Sequence, residues 1–392
     1  MHRVDSTNET HYVRRFLTAL LGVPLATEEM EEEDVQGTLT LWFHEVKDKD
    51  GNPSNKVYGV SNCHVLRRNT TVDYEHRGPG APRNHVRVDG MRRFQRGLDE
   101  IKMAVAGHGI SAEVLARRIV RLQAEERQDA ENAREIRAIQ RKLTDKHKAI
   151  ADRLEALYNE VTKHWSDIKL HRNIGYVQYA PAITVDVEGG TLHTSDWAAF
   201  LTAEAKVKDE FEGNVVDLGA FRPIFLVFTS SNENTLIQRL SRGPITFEFP
   251  SESKLQIEGC ATKEDLANPT EFDSEAQRCL IVGKDGNATD LTFGRYAGLV
   301  SFVLNEVGIE SVELGTYNSD DKIFSAKGNL GALVWHTTND GKARIVGQLH
   351  SVQNKGGSTS KHVTYYTPGW YLLDQIKKRL KYAEFYRTTW SA

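Results

Sequence analysis

From Ala112 to His164 the chain contains neither glycine nor proline. Within that run Ile136, Ile139, Leu143, His147, Ile150, Leu154, Leu157 and Val161 recur at steps of three and four. The period is that of a coiled-coil-like helical seam. Gly107-His108-Gly109 is expected to end a short first helix, and Ser111 to cap the next. One helix over this run would extend roughly 80 Å at 1.5 Å per residue, more than a globular domain can bury. It must project, pair with another copy, or fold back on the body. Acids and bases are interspersed along it, so it does not read as a membrane-surface helix. Residues 99–165 are therefore set apart as a helical insertion.

The sequence on either side reads as β structure. Residues 37–98 begin with Thr38-Leu39-Thr40-Leu41-Trp42-Phe43, a β-branched and aromatic strand. The turn Asp50-Gly51-Asn52-Pro53 and a second strand over Lys56 to Val60 follow. After residue 165, strands such as Phe225 to Phe228, Thr246 to Phe249, Cys279 to Val282 and Ala343 to Leu349 are short and separated by turn residues. That spacing predicts a barrel or sandwich rather than βαβ units. Trp370 to Lys381 is expected to form one terminal amphipathic helix. Residues 1–36 offer Arg14 and Arg15, an apolar stretch to Ala26, then an acidic run from Glu28 to Asp34. A short amphipathic helix and an acidic linker are expected there, in preference to a signal peptide.

The net charge of −4 provides no global basic field for nucleic acid or anionic membrane. The Arg-rich stretch Arg87 to Arg96 is short and matches no recognition motif. No apolar run reaches the roughly 20 residues that span a bilayer as a helix. Cys63, Cys260 and Cys279 lack zinc-site spacing and cannot form a disulfide framework, though one Cys260–Cys279 bridge stays open. A cytoplasmic setting is expected, with no metal and no cofactor.

Three short segments could carry chemistry. His64 lies in Ser61-Asn62-Cys63-His64-Val65-Leu66. Asp196 precedes the apolar Trp197-Ala198-Ala199-Phe200. Gly328-Asn329-Leu330-Gly331 feeds the apolar strand Ala332 to Trp335. Each alone has an ordinary structural reading. Their order is that of a His…Asp…nucleophile triad. Here the sequence resembles the trypsin-like (chymotrypsin-fold) serine peptidases, most closely their fungal members. Val282 to Gly294 resembles the family's V-x-K-x-G-x-x-T-x-x-T-x-G strand, Ile345 to Ser351 its substrate-binding strand, and Pro368-Gly369-Trp370-Tyr371 its P-G-x-Y entry to the last helix. The resemblance spans about Gly37 to Leu380 without the helical insertion. It implies a mostly β fold of two antiparallel β-barrels. Residues 37–98 and 166–220 would form the first barrel, and 221–392 the second with the C-terminal helix.

The resemblance also exposes a departure. The family's loop reads Gly-Asp-Ser-Gly, and this chain puts Leu330 at the nucleophile position. Leucine has no hydroxyl or thiol with which to attack a carbonyl. Losing a triad nucleophile costs on the order of a million-fold in the worked subtilisin case. Asn329 replaces the Asp whose charge, in the family, helps fix the loop. The resemblance places Phe324 and Ser325 at the primary pocket, and Gln348, Leu349, His350 and Ser351 along a bound peptide. The amides of Gly328 and Leu330 would form the oxyanion-type nest. Ser325 is misplaced for a substitute nucleophile, and Cys63, a strand neighbour of His64, should face away from it. The expected function is a catalytically inactive peptidase homologue, with His64 and Asp196 a relic dyad, that binds a peptide or protein partner. The helical insertion is a candidate for self-association. Two rivals stand beside this reading. One is an active serine-type endopeptidase with another nucleophile. The other is a coiled-coil interaction protein on a β platform.

Overall fold

A computed structural model describes residues 1, 10–124, 130–167, 169, 171–219, 250, 253–272, 276–304, 309–318, 323–338, 342–354 and 362–391. The chain is mostly β, with two curled nine-stranded sheets and a long helical hairpin. The strands expected at Phe225 to Phe228 and Thr246 to Phe249 lie outside the described residues.

The first sheet runs Gly37–Thr38, Pro24–Thr27, His85–Val88, Asn173–Ala180, Ala198–Thr202, Pro53–Ser61, Leu41–Lys47, Ala383–Glu384, with Tyr74–Glu75 paired to Asn173–Ala180 off this path. The segment from Gly37 to Lys47 pairs with Pro24–Thr27 at its start and with Pro53–Ser61 farther on, so this sheet curls round onto one bent strand. In the second sheet Ala343–Asn354 pairs with both Leu333–Thr337 and His362–Pro368. Arg278–Lys284, Thr292–Leu304 and Glu310–Asn318 complete that ring. The expectation of purely antiparallel barrels needs correction at one edge, where Lys254–Cys260 lies parallel to Ala343–Asn354.

The N-terminal segment is not an amphipathic helix with a free acidic linker. Phe16, Leu17, Ala19, Leu21 and Val23 are core residues, reached through short 3-10 turns. Its apolar content is continuous rather than one-sided, which suits burial better than a surface helix. The acidic run is held by bases: Glu29 accepts from Arg67 Nε at 2.8 Å, and Glu31 pairs with Arg87 at 2.9 Å. The Asp34 carboxylate accepts from the amides of Met91 (2.8 Å) and Arg92 (3.2 Å). It thereby caps a helix remote in sequence.

With α1 the short turn Cys63–Leu66, that capped helix is α2, Met91–Ala124, and α3 is Ala130–His164. The single long helix is thus corrected to two helices folded back on each other. Lys102 lies over the Tyr158 ring and His108 Nδ1 is 2.9 Å from His147 Nδ1, an antiparallel register. α2 passes through Gly107–Gly109 unbroken. A Cβ at either glycine would meet nothing within 4 Å, so the helix carries only their propensity cost. Ser111 does not cap; its hydroxyl donates back to the Gly107 carbonyl at 2.9 Å. The seam splits. Ile150, Leu154, Leu157 and Val161 join the core, while Ile136, Ile139 and Leu143 are exposed and Gln140 and Thr144 are buried instead. The root of the hairpin is part of the body and its distal half projects.

All three cysteines are free, which closes the Cys260–Cys279 option. Among the described residues, no helix is long and apolar enough to cross a membrane.

Candidate functional site

His64 sits in α1, a single helical turn that follows Pro53–Ser61. Its Nδ1 is 2.5 Å from Asp196 Oδ2, and its backbone amide donates to Asp196 Oδ1 at 3.2 Å. Asn62 Nδ2 donates to the Asp196 carbonyl at 2.8 Å and fixes the segment that carries the carboxylate. The Asp196 side chain is 5% exposed and that of His64 30%. With Nδ1 bound to the carboxylate, Nε2 is left as the acceptor of the ring. Cys63 is helical, not on a strand as expected. It is buried, and burial, with Asp196 behind it, pushes its thiol up to about 12. It is held as a thiol and is no nucleophile near neutral pH.

The Leu330 loop is clamped from both sides. Thr38 N–H donates to the Leu330 carbonyl at 2.8 Å, and Gly331 N–H donates to the Leu349 carbonyl at 2.8 Å. Thr40 Oγ1 donates to the Gly331 carbonyl at 2.6 Å and accepts from Gln348 Nε2 at 2.8 Å. Gly37 is the contact between loop and α1. A Cβ there would lie 2.5 Å from both Val65 methyls and 2.8 Å from the Leu330 carbonyl oxygen. The dyad turn and the Leu330 loop are therefore adjacent. Gly328 has φ +104°, a conformation glycine adopts at no steric cost. Among the described residues, neither the Gly328 nor the Leu330 amide donates to a partner. The Leu330 side chain is half-buried and packs against both hydrophobic cores.

Asn329 is fully buried and holds the loop by hydrogen bonds. Its Oδ1 accepts from the amides of Ala288 (2.7 Å) and Thr289 (3.3 Å), and its Nδ2 donates to Thr289 Oγ1 at 2.6 Å. Lys284 Nζ donates to the same Thr289 hydroxyl at 2.5 Å. Burial pushes the Lys284 ammonium down to about 7, against the pull of Asp285 and Asp290.

The remaining expected residues divide. Ser325 is buried with its Oγ 2.5 Å from Thr364 Oγ1, which removes it as a substitute nucleophile. Phe324 is a core residue of the second sheet rather than an open pocket base. Leu349 is core as well, and Gln348 is spent on Thr40. His350 and Ser351 lie where Ala343–Asn354 has no described partner opposite His362–Pro368, because Leu333–Thr337 pairs only as far as Gln348. Among the described residues, that leaves an open strand edge beside the Leu330 loop.

Sequence reasoning missed Glu313. It is buried, its Oε2 is 2.9 Å from His350 Nε2, and Thr194 Oγ1 donates to its Oε1. Burial alone would lower the His350 value. The Glu313 charge and hydrogen bond, with Asp196 beyond them, outweigh burial and hold it above the ordinary histidine value. A single Glu in a strand carries no sequence signal for such a pair.

No protein-family model matches the chain, and no curated protein sequence matches it. Solved structures similar to it include proteases. Thermobifida fusca protease A is 8% identical with a TM-score of 0.37, covering 92% of this chain and 96% of that one. A Nocardiopsis protease is 9% identical with a TM-score of 0.35 and the same 92% and 96% coverage. Cellulomonas bogoriensis chymotrypsin is 14% identical with a TM-score of 0.27, covering 55% and 86%. What the site can do follows from its own residues.

Proposed function

We propose that this chain is a trypsin-like serine-peptidase homologue that has lost its nucleophile and binds an extended peptide or protein segment in the retained cleft. One observation carries the reading: an aligned His64–Asp196 pair abuts a glycine-shaped loop whose apex is Leu330. In this reading His64 and Asp196 are a base and its orienting carboxylate, and Leu330 offers them no hydroxyl or thiol to activate. The free amides of Gly328 and Leu330 and the open edge at His350 and Ser351 favour capture of an extended backbone by strand addition. The active-endopeptidase reading is disfavoured by the buried, bonded Ser325 and the protonated Cys63. Hydrolysis of a mixed peptide library by purified full-length protein tests this. No turnover is expected in wild type or His64→Ala. Turnover that disappears in His64→Ala would overturn the proposal.

A second reading, a scaffold that works through its helical arm, is favoured by the exposed Ile136, Ile139 and Leu143. Deleting the whole insertion would strip Ile101, Leu154, Leu157 and Val161 from the core. Replacing residues 109–146 by a short linker removes only the projecting half. If the arm mediates self-association, sedimentation gives an oligomer for the full chain and a monomer for the shortened one. Monomers in both remove that role.

A further inference from the structure

At the root of the arm a small cavity is lined by Thr27, Glu31, Asp34, Arg87, Asp89 and Arg172, among others. Three elements meet there: the N-terminal segment, the first sheet and the start of α2. Its space is that of about one water-sized group. Thr27, Arg87, Asp89 and Arg172 are all more than nine-tenths buried. Yet, among the described residues, Thr27 Oγ1, Arg87 Nε, Arg172 Nε and both Asp89 carboxylate oxygens have no hydrogen-bond partner. Buried polar groups are normally satisfied, and each orphan costs roughly 1–3 kcal/mol. Several orphans around one cavity mark a site built for something that contacts them.

The charge arrangement indicates what that is. Arg87 spends its terminal nitrogens outward on Glu28 (3.6 Å) and Glu31 (2.9 Å), which leaves Nε–H over. Arg172 spends its own on the carbonyls of Asp89 (3.4 Å) and Gly90 (3.5 Å) and on Met91 Sδ (3.3 Å). Asp34 is already engaged by the first amides of α2, so the helix terminus is not the site. Two guanidinium N–H groups and a hydroxyl on the lining residues are left as donors without acceptors, and the two arginines disfavour a cation. Asp89 is the remaining member. Burial pushes its carboxyl up to about 8, despite Arg93, Arg172 and Arg96 nearby and with Glu100 adding to the rise. As an acid it adds a fourth donor, an O–H, where a carboxylate would oppose an anion.

We propose that this cavity binds a small monovalent anion of halide size, held by Arg87, Arg172 and Thr27, with Asp89 completing the lining. The site is independent of the peptide cleft and braces the root of the arm. The groups facing Asp89 and the anion are Glu31 and Asp34 from the N-terminal segment, Arg87 from the first sheet, Arg93, Arg96 and Glu100 from α2, and Arg172. Binding of the anion and of the Asp89 proton are then linked, each favouring the other. Anion affinity should fall about tenfold per pH unit once Asp89 ionises.

The test uses the full-length protein in sodium chloride, bromide or gluconate at constant ionic strength, read by thermal unfolding at pH 6 and pH 9. A saturable rise in Tm with chloride and bromide over gluconate is expected, larger at pH 6. Asp89→Asn keeps an N–H donor without a charge. It should retain the rise and lose its pH dependence. Arg172→Met should lose the rise while keeping its packing on Phe94. If that variant does not fold, Thr27→Val gives the same reading. Equal Tm values in chloride and gluconate at both pH values would overturn the proposal and leave a cavity that holds water only. A rise of the same size in Arg172→Met and Thr27→Val would overturn the assignment to this cavity.

Discussion

At the scale of single residues, the loop around Leu330 carries no hydroxyl at its apex and is held without a charge. Asn329 still binds the amides of Ala288 and Thr289, so the loop stays in place without an ion pair. One hydroxyl away from Asn329 lies the buried Lys284. Its folded value of about 7 lies below the roughly 10.4 of an unfolded lysine, so the unfolded chain holds this proton more tightly. The penalty is complete below about pH 7, and stability rises as pH climbs from there toward the unfolded value. Asn329→Asp places a carboxylate against the shared Thr289 hydroxyl and holds the ammonium charged. Urea midpoints at pH 8 and pH 10 should show the wild type gaining stability across the interval and the variant gaining less. An equal gain in both would detach Lys284 from the loop. These consequences are not legible in the sequence. Leu330 and Asn329 can be read there as departures, whereas the Thr289 bridge and the Glu313–His350 pair depend on contacts between strands far apart in the chain.

At the scale of elements, the helical hairpin shows what periodicity does and does not specify. The seam from Ile136 to Val161 was readable, and its proximal half is core. The fold-back was not, because a glycine- and proline-free run shows no turn. The unbroken passage through Gly107 and Gly109 follows from the packing of α2 on α3, which outweighs two glycines costing about 1 kcal/mol each. Two predictions belong here. Gly107→Ala with Gly109→Ala should raise Tm, since neither new methyl meets an obstacle and each adds up to about 1 kcal/mol. A lower Tm would mean that the glycines serve a contact. Leu154→Ala should cost about 2–5 kcal/mol by chemical denaturation, while Ile139→Ala, on the same seam but exposed, should cost well under that. Similar losses at both positions would mean that the distal half is covered in solution.

At the scale of the whole molecule, the site depends on the junction between the two sheets. Thr38 and Thr40, at the bend of the first sheet, hold the loop supplied by the second, and Leu330 itself packs against both cores. Strand content and the presence of a terminal helix were legible from turn spacing. The parallel strand at the edge of the second sheet and the burial of the N-terminal segment were not, because pairing partners are set by tertiary contacts rather than by local pattern. Labelling by a fluorophosphonate serine probe addresses the central claim most directly, with wild type beside Leu330→Ser/Asn329→Asp. The wild type should remain unlabelled, and the double variant should label only while His64 is present. Wild-type labelling that requires His64 would contradict the account and make the chain a working hydrolase.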